Sequence, residues 1–379
     1  MNRYFVATSL LLLLLAGCSE KKEPLAPSQL PPDVEAGKAV AREVCSSCHG
    51  MDGRGVQDNI PNLAAQLEPY LLKTIQTYNH GKRDGSGGGL MDITKNLTPA
   101  QLRNALGYYA SLPPLAGGGN TSHRYSYYDR GAELSKSCAS CHGADGNPVR
   151  AGIPRLAGQH PQYIVKATTA YQNGTRIMPA MHDKLAGLSR ADVENMAVYF
   201  ALNKPRPANG KMNKSNEGMQ FIKDCAQCHG SMGSSDSANI PNLAGQDVKY
   251  LDAAIKAYRD KVRDLGKVHQ AISGFNDSEV GKIAAFFAAE SPAKVTFVLP
   301  EPVEVLAQKC DICHDAGGTN PEMLAPKLKG QHSTYLVNAL AAYRDSDRGN
   351  SAMHRISTVF NFDAAIEGTA YYYSGQAGK

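Results

Sequence analysis

Cys45-Ser46-Ser47-Cys48-His49 is the stretch on which the reading of this chain turns, because its pattern returns at Cys138-Ala139-Ser140-Cys141-His142, Cys225-Ala226-Gln227-Cys228-His229 and Cys310-Asp311-Ile312-Cys313-His314. Two thiols three residues apart reach the two vinyl groups of one porphyrin, and the next His turns its imidazole onto the iron. A redox dithiol or half of a zinc site also uses paired cysteines. Neither needs a His directly after the second Cys, and neither repeats it four times. The pattern calls for four covalently attached haem c groups.

The motifs use eight of the nine cysteines, leaving only Cys18 and none for a structural disulfide. Cys18 ends Leu15-Ala16-Gly17-Cys18, after an apolar run from Phe5 to Ala16 and a short, weakly basic start at Asn2-Arg3. This arrangement resembles a bacterial lipoprotein signal. The competing reading is an ordinary signal peptide or an uncleaved anchor, but the run is shorter than the ~20 residues needed to span a bilayer. Residues 1–17 are expected to be absent from the mature protein, with a lipid on Cys18 holding it to the bilayer on the periplasmic side of the cell envelope. In that resemblance Ser19 after the Cys favours the outer membrane. Residues 18–34, with Pro24, Pro27, Pro31 and Pro32, read as a spacer.

At 379 residues, 42% hydrophobic and 20% charged, the chain is too long for one core and reads as several small domains. The formal charge of +5 omits eight haem propionates, and the basic residues are scattered, so nucleic acid is not an expected partner.

Aligning the motifs on their His exposes a repeat. Twelve residues on stand Pro61, Pro154, Pro241 and Pro326; seventeen on stand Gln66, Gln159, Gln246 and Gln331. Counted from each Gln, Tyr70, Tyr163, Tyr250 and Tyr335 follow at four, Tyr78, Tyr171, Tyr258 and Tyr343 at twelve, and Arg83, Arg176, Arg263 and Arg348 at seventeen. The Gln-to-Arg segments carry apolar residues at helical spacing, and the tyrosines read as core residues keeping a hydroxyl at an edge. Each repeat closes with a second helix, capped at Thr98, Ser189, Asn276 or Asn361 and carrying Tyr108-Tyr109, Tyr199-Phe200, Phe286-Phe287 or Tyr371-Tyr372-Tyr373. That helix is expected to pack on the one before the motif. Breaker-rich stretches between repeats set domains at 35–113, 125–204, 215–291 and 302–375.

Three of these features together, Cys-His-Gly-x-x-Gly, Ile-Pro-Asn-Leu-Ala-x-Gln or Ile-Pro-Arg-Leu-Ala-Gly-Gln, and a Met ahead of a Leu-Ser or Leu-Thr helix start, resemble class I bacterial cytochrome c domains. The nearest resemblance is to tandem two-haem cytochromes of the c-four type, here doubled. It spans nearly all of residues 35–375. Repeat four departs, with Asp315 in place of Gly and Ala325-Pro326-Lys327-Leu328 in place of Ile-Pro-x-Leu. The resemblance implies an all-α chain of four tandem class I domains. It makes His49, His142, His229 and His314 the proximal iron ligands, and it has the carbonyls of Pro61, Pro154, Pro241 and Pro326 orient them. It further implies one-two and three-four domain pairs.

The family leads one to expect Met as the second axial ligand, which assigns Met181 and Met353, with Met91 the ligand-capable choice in repeat one. Repeat three has Val268 at that position, leaving His269 as the best ligand, Lys267 as runner-up and an open site as the third reading. His182 and His354 share the column of His269 and are alternative ligands; Met178 is a lesser rival. The remaining histidines, His80, His123, His160 and His332, read as surface residues. No nucleophile–base set or phosphate loop is present, and the Gly85–Gly89 stretch reads as a loop insertion. The expected function is electron carriage, without enzyme activity, between periplasmic or membrane redox proteins. The alternatives are a haem enzyme or small-ligand sensor with an open third site, or a cytochrome subunit of a membrane dehydrogenase or reductase.

Overall fold

A computed structural model describes residues 31–81, 83, 90–116, 125–208, 216–315 and 324–378. The expected signal, Cys18, His123 and the Gly85–Gly89 loop lie outside these residues. Four helical units follow one another: α1 (Val34–Val40), α2 (Ser46–His49), α3 (Glu68–Asn79) and α4 (Pro99–Ser111); then α5 (Tyr127–Leu134), α6 (Ala139–His142), α7 (Pro161–Gln172), α8 (Pro179–Leu185) and α9 (Arg190–Leu202). Unit three has a 3-10 turn at Asn216–Phe221, α10 (Lys223–His229), α11 (Val248–Arg259), α12 (Gly266–Ile272) and α13 (Asp277–Ala289). Unit four has α14 (Val303–His314), α15 (Ser333–Arg344), α16 (Ser351–Ser357) and α17 (Asp363–Gly375). No strand occurs among the described residues.

Each unit closes by crossing its first helix over its last, as expected: α1 on α4, α5 on α9, the Asn216–Phe221 turn on α13, and α14 on α17. Small residues allow the approach. A Cβ on Gly37 would collide with Asn104 O, one on Gly131 with Asn195 O, and one on Gly218 with Lys282 O. In unit four the glycine stands on the other helix, where Gly368 admits the Cγ2 of Val303. Capping boxes at Thr98, Ser189 and Asn276 start α4, α9 and α13, each worth about 1 kcal/mol. The expected cap Asn361 fails: α17 starts one residue later, from Phe362, without a side-chain cap. Tyr109, Phe200, Phe287 and Tyr373 are fully buried at the crossings.

The units pair through the glutamines of the repeat. Gln66 lays its amide along Lys327, donating Nε2–H to Lys327 O and accepting Lys327 N–H, both at 3.0 Å. Gln331 answers on Asn62, accepting its N–H at 2.7 Å and donating to its O at 3.0 Å. Units two and three repeat the clasp: Gln159 on Asn242 (2.8 and 3.0 Å) and Gln246 on Arg155 (2.6 and 3.0 Å). All four glutamines are buried, and each clasped residue directly follows a Pro of the repeat. The contacts are reciprocal, as in an isologous interface, so a single residue type at one offset serves both sides. These clasps overturn the expected one-two and three-four pairing: unit one pairs with unit four, and unit two with unit three.

Two of the four expected surface histidines belong to this interface. His160 is buried and donates Nε2–H to Ser235 O at 2.9 Å; His332 is half-buried and reaches Gly55 O at 3.2 Å. A buried donor left unpaired costs about 1–3 kcal/mol, so both are placed by the partner's backbone. His80 is exposed, as expected.

Units two and four meet through a different kind of surface. α9 lies on α17, and Tyr127, Ala191 and Val198 share one apolar cluster with Val303, Leu306, Phe360, Ala364 and Ile366. Tyr125 ties its edges, accepting from Asn195 Nδ2 at 2.9 Å and donating to Glu367 at 3.3 Å. Joined by these interfaces, the units stand in the spatial order one, four, two, three.

Candidate haem-binding sites

The second cysteine and the His of each motif close a helix. Each imidazole then meets a carbonyl twelve residues on. His49, His142, His229 and His314 donate Nδ1–H to Pro61 O, Pro154 O, Pro241 O and Pro326 O at 3.0, 2.9, 2.9 and 2.8 Å. The bond fixes the tautomer and leaves Nε2 with its lone pair free. Burial holds all four imidazoles below the ordinary histidine range, against the raising effect of the Pro carbonyl, so they are neutral, as a metal ligand must be.

Burial pushes the Cys45 and Cys310 thiols up to about 11, with Cys48 and Asp311 adding to the effect, and raises Cys138 and Cys225 as well. A reactive dithiol has the opposite tuning. Among the described residues no cluster of His, Cys, Asp and Glu forms a metal cage. After the His, Gly50, Gly143 and Gly230 take φ of 65°, 78° and 77°, where a side chain is strained. Asp315 takes φ of −80° and bonds Lys329 at 3.1 Å, so the departure of repeat four is a real change of backbone.

α8, α12 and α16, packed on α7, α11 and α15, present the distal candidates at matching positions. Met181, Val268 and Met353 are half-buried. His182, His269 and His354 each place Nδ1 on the carbonyl of the second repeat tyrosine, on Tyr171 O at 3.0 Å, Tyr258 O at 3.2 Å and Tyr343 O at 2.8 Å. His182 is exposed; His269 and His354 are half-buried; Lys267 and Met178 are exposed. Met91 lies in the 3-10 turn Leu90–Asn96. Counted back six residues from Leu97, Leu188, Phe275 and Phe360, it falls in register with the three histidines, one position off Met181 and Met353.

The repeat arginines complete the site from across the pair interface. Arg83 donates to Tyr70 at 3.3 Å and to Tyr343 of unit four at 3.5 Å, and Arg348 to Tyr335 at 3.3 Å. Arg176 donates to Tyr163 at 3.4 Å and to Tyr258 of unit three at 2.9 Å, and Arg263 to Tyr171 of unit two at 3.2 Å. Burial raises the Tyr163 and Tyr335 phenols, so these tyrosines are neutral acceptors. Two like charges thus share each box, and among the described residues no carboxylate pairs with them. The Nη1 of Arg83 is buried without a partner. A haem, which carries two carboxylates, would supply the missing countercharge, so the residues present fit that group.

The sequence carries the same assignment independently. The cytochrome c family model matches residues 34–112 and 215–288, and the model of the cbb3-type cytochrome c oxidase subunit III matches 128–200. Cytochrome c4 of Azotobacter vinelandii is 32% identical over 185 residues, 44% of this chain and 88% of that protein. The chain belongs to the class I c-type cytochromes. This cytochrome is also 34% identical over 177 residues to the thiosulfate dehydrogenase electron acceptor of Thiomonas intermedia (strain K12), 42% of the chain and 81% of that protein. The crystal structure of reduced cytochrome c4 from Pseudomonas stutzeri superposes with a TM-score of 0.40 at 22% identity, covering 43% of the cytochrome and 98% of that chain. Covalent haem c follows from the family. No helix among the described residues is long and apolar enough to cross a membrane.

Proposed function

We propose that this cytochrome holds four haem c groups and carries electrons between periplasmic or membrane redox proteins, without an enzyme activity of its own. The observation that carries the reading is the fourfold Nδ1–H bond from motif His to Pro carbonyl, at 2.8–3.0 Å in every unit. When bound, haem supplies one-electron chemistry at an iron whose potential its axial ligands set. The chain's own residues attach it through Cys45, Cys48, Cys138, Cys141, Cys225, Cys228, Cys310 and Cys313, orient the proximal imidazoles and exclude water.

The domains run over 35–113, 125–204, 215–291 and 302–375, behind a signal at 1–17 and a tether on Cys18 that holds the protein to the outer membrane. Met91, Met181 and Met353 are the distal ligands of units one, two and four, supported for the last two by their half-buried positions beside His182 and His354. His269 serves unit three, where Val268 has no donor atom and Lys267 points to solvent. An imidazole in place of a thioether makes site three the most reducing. Because relatives include electron acceptors of thiosulfate dehydrogenase, the donor is a periplasmic dehydrogenase of that general kind.

The test is carbon monoxide addition to the dithionite-reduced protein, after a pyridine haemochrome count of four. An unchanged visible spectrum supports a carrier with closed sites. A shift worth one haem in four, lost on deletion of the third domain, makes unit three an open site and favours the sensor or enzyme reading.

A further inference from the structure

We propose that the four sites work as nested redox pairs, unit one with unit four and unit two with unit three, each pair sharing one buried arginine–tyrosine box. The proposal rests on the haem reading above and adds which sites sense one another. Sequence neighbours are not the partners.

Three observations carry it. The glutamine clasps bind the residue directly after the Pro whose carbonyl holds the proximal imidazole, so Gln66 and Gln331 tie the proximal wall of one member to that of the other. The clasps therefore couple the position of Pro61 to that of Pro326, and through those carbonyls the orientation of His49 to that of His314. Gln159 and Gln246 do the same for His142 and His229. Second, the arginines cross the same two interfaces: Arg83 stacks on Tyr78, with its centre 5.2 Å from the ring, and bonds Tyr343, while Arg348 stacks on Tyr343 at 5.1 Å. In the other pair Arg176 reaches Tyr258 and Arg263 reaches Tyr171. Each box brings two cations into one buried place, and a charge change on either member is felt by both. Third, the junction of units two and four rests on an apolar cluster along α9 and α17, and among the described residues it holds no arginine–tyrosine box.

The experiment is a spectroelectrochemical titration of the holoprotein and four single variants. Gln66→Ala and Gln331→Ala are expected to move the midpoints of the same two of four components, while Gln159→Ala and Gln246→Ala move the other two. If Gln66→Ala and Gln159→Ala move a common pair, the nested arrangement is wrong and sequence neighbours are coupled. If all four variants leave every midpoint in place, the clasps do not couple the sites. Lysine cross-linking of the unaltered holoprotein, read by peptide mass spectrometry, provides a test free of variant folding. Links of residues 35–113 to 302–375 and of 125–204 to 215–291 support nested pairing, whereas links of 35–113 to 125–204 and of 215–291 to 302–375 in their place overturn it. The haem reading fails separately, by a haemochrome count other than four.

Discussion

The pair interfaces and the junction between units two and four solve the same problem, holding two small domains together, with opposite chemistry. At the pairs, buried glutamines bond to backbone, which tolerates only one register. At the junction, Val303, Phe360, Ile366 and their neighbours bury apolar surface, which contributes more free energy per residue but is less exacting about alignment. The lesson is a division of labour: hydrogen bonds define who pairs with whom, and the hydrophobic junction fastens one pair to the other.

Removing all residues after 291 breaks that division most severely, because it strips the clasp from unit one and the apolar cover from α9 together. The expected outcome is self-association and a large loss of thermal stability, seen by light scattering and calorimetry. Removal of unit one alone is expected to leave a monomer of lower melting temperature. Within the junction, Ile366→Ala at a residue 2% exposed should cost about 3 kcal/mol by denaturant titration. In the clasp, Gln331→Ala leaves the Asn62 backbone N–H and C=O unpaired in a buried place and should cost about 2 kcal/mol, the two Gln66 bonds surviving.

The smallest effect is one of pH. At the junction Glu194 accepts the Ala364 N–H of unit four at 3.0 Å; burial raises its carboxyl, against the lowering effect of Arg190, and raises Glu367 with help from Asp192. A carboxyl raised in the folded state contributes stability that is fully present below its unfolded pKa of about 4.5 and is lost as pH rises through the folded value. The junction should therefore tighten slightly as pH falls from 7 towards 4.5, and Glu194→Gln should flatten that slope in a melting series.

The bonds from motif His to Pro carbonyl and the crossing helices were legible in the sequence, because each is fixed by local spacing or by a short-range contact within one unit. The glutamine and arginine columns were visible as a register but carried no readable chemistry. Their partners, Lys327 for Gln66 or Tyr258 for Arg176, stand far away along the chain, and nothing in a repeat says which copy meets which. His160 and His332 misread as surface for the same reason: their acceptors are carbonyls of another unit. The Asn361 cap was a local misreading, since Phe362 intervenes before α17.

The sequence separation of 269 between Asn62 and Gln331 gives the nested order a meaning in time. A contact of such range forms late, after the entropy of closing a long loop has been met. The first of the four units to be made is the last to find its mate, and until the fourth is made its clasp is open to other chains. Completion of the fourth unit thus closes the arrangement, and a chain cut short before it carries its defect in the unit made first.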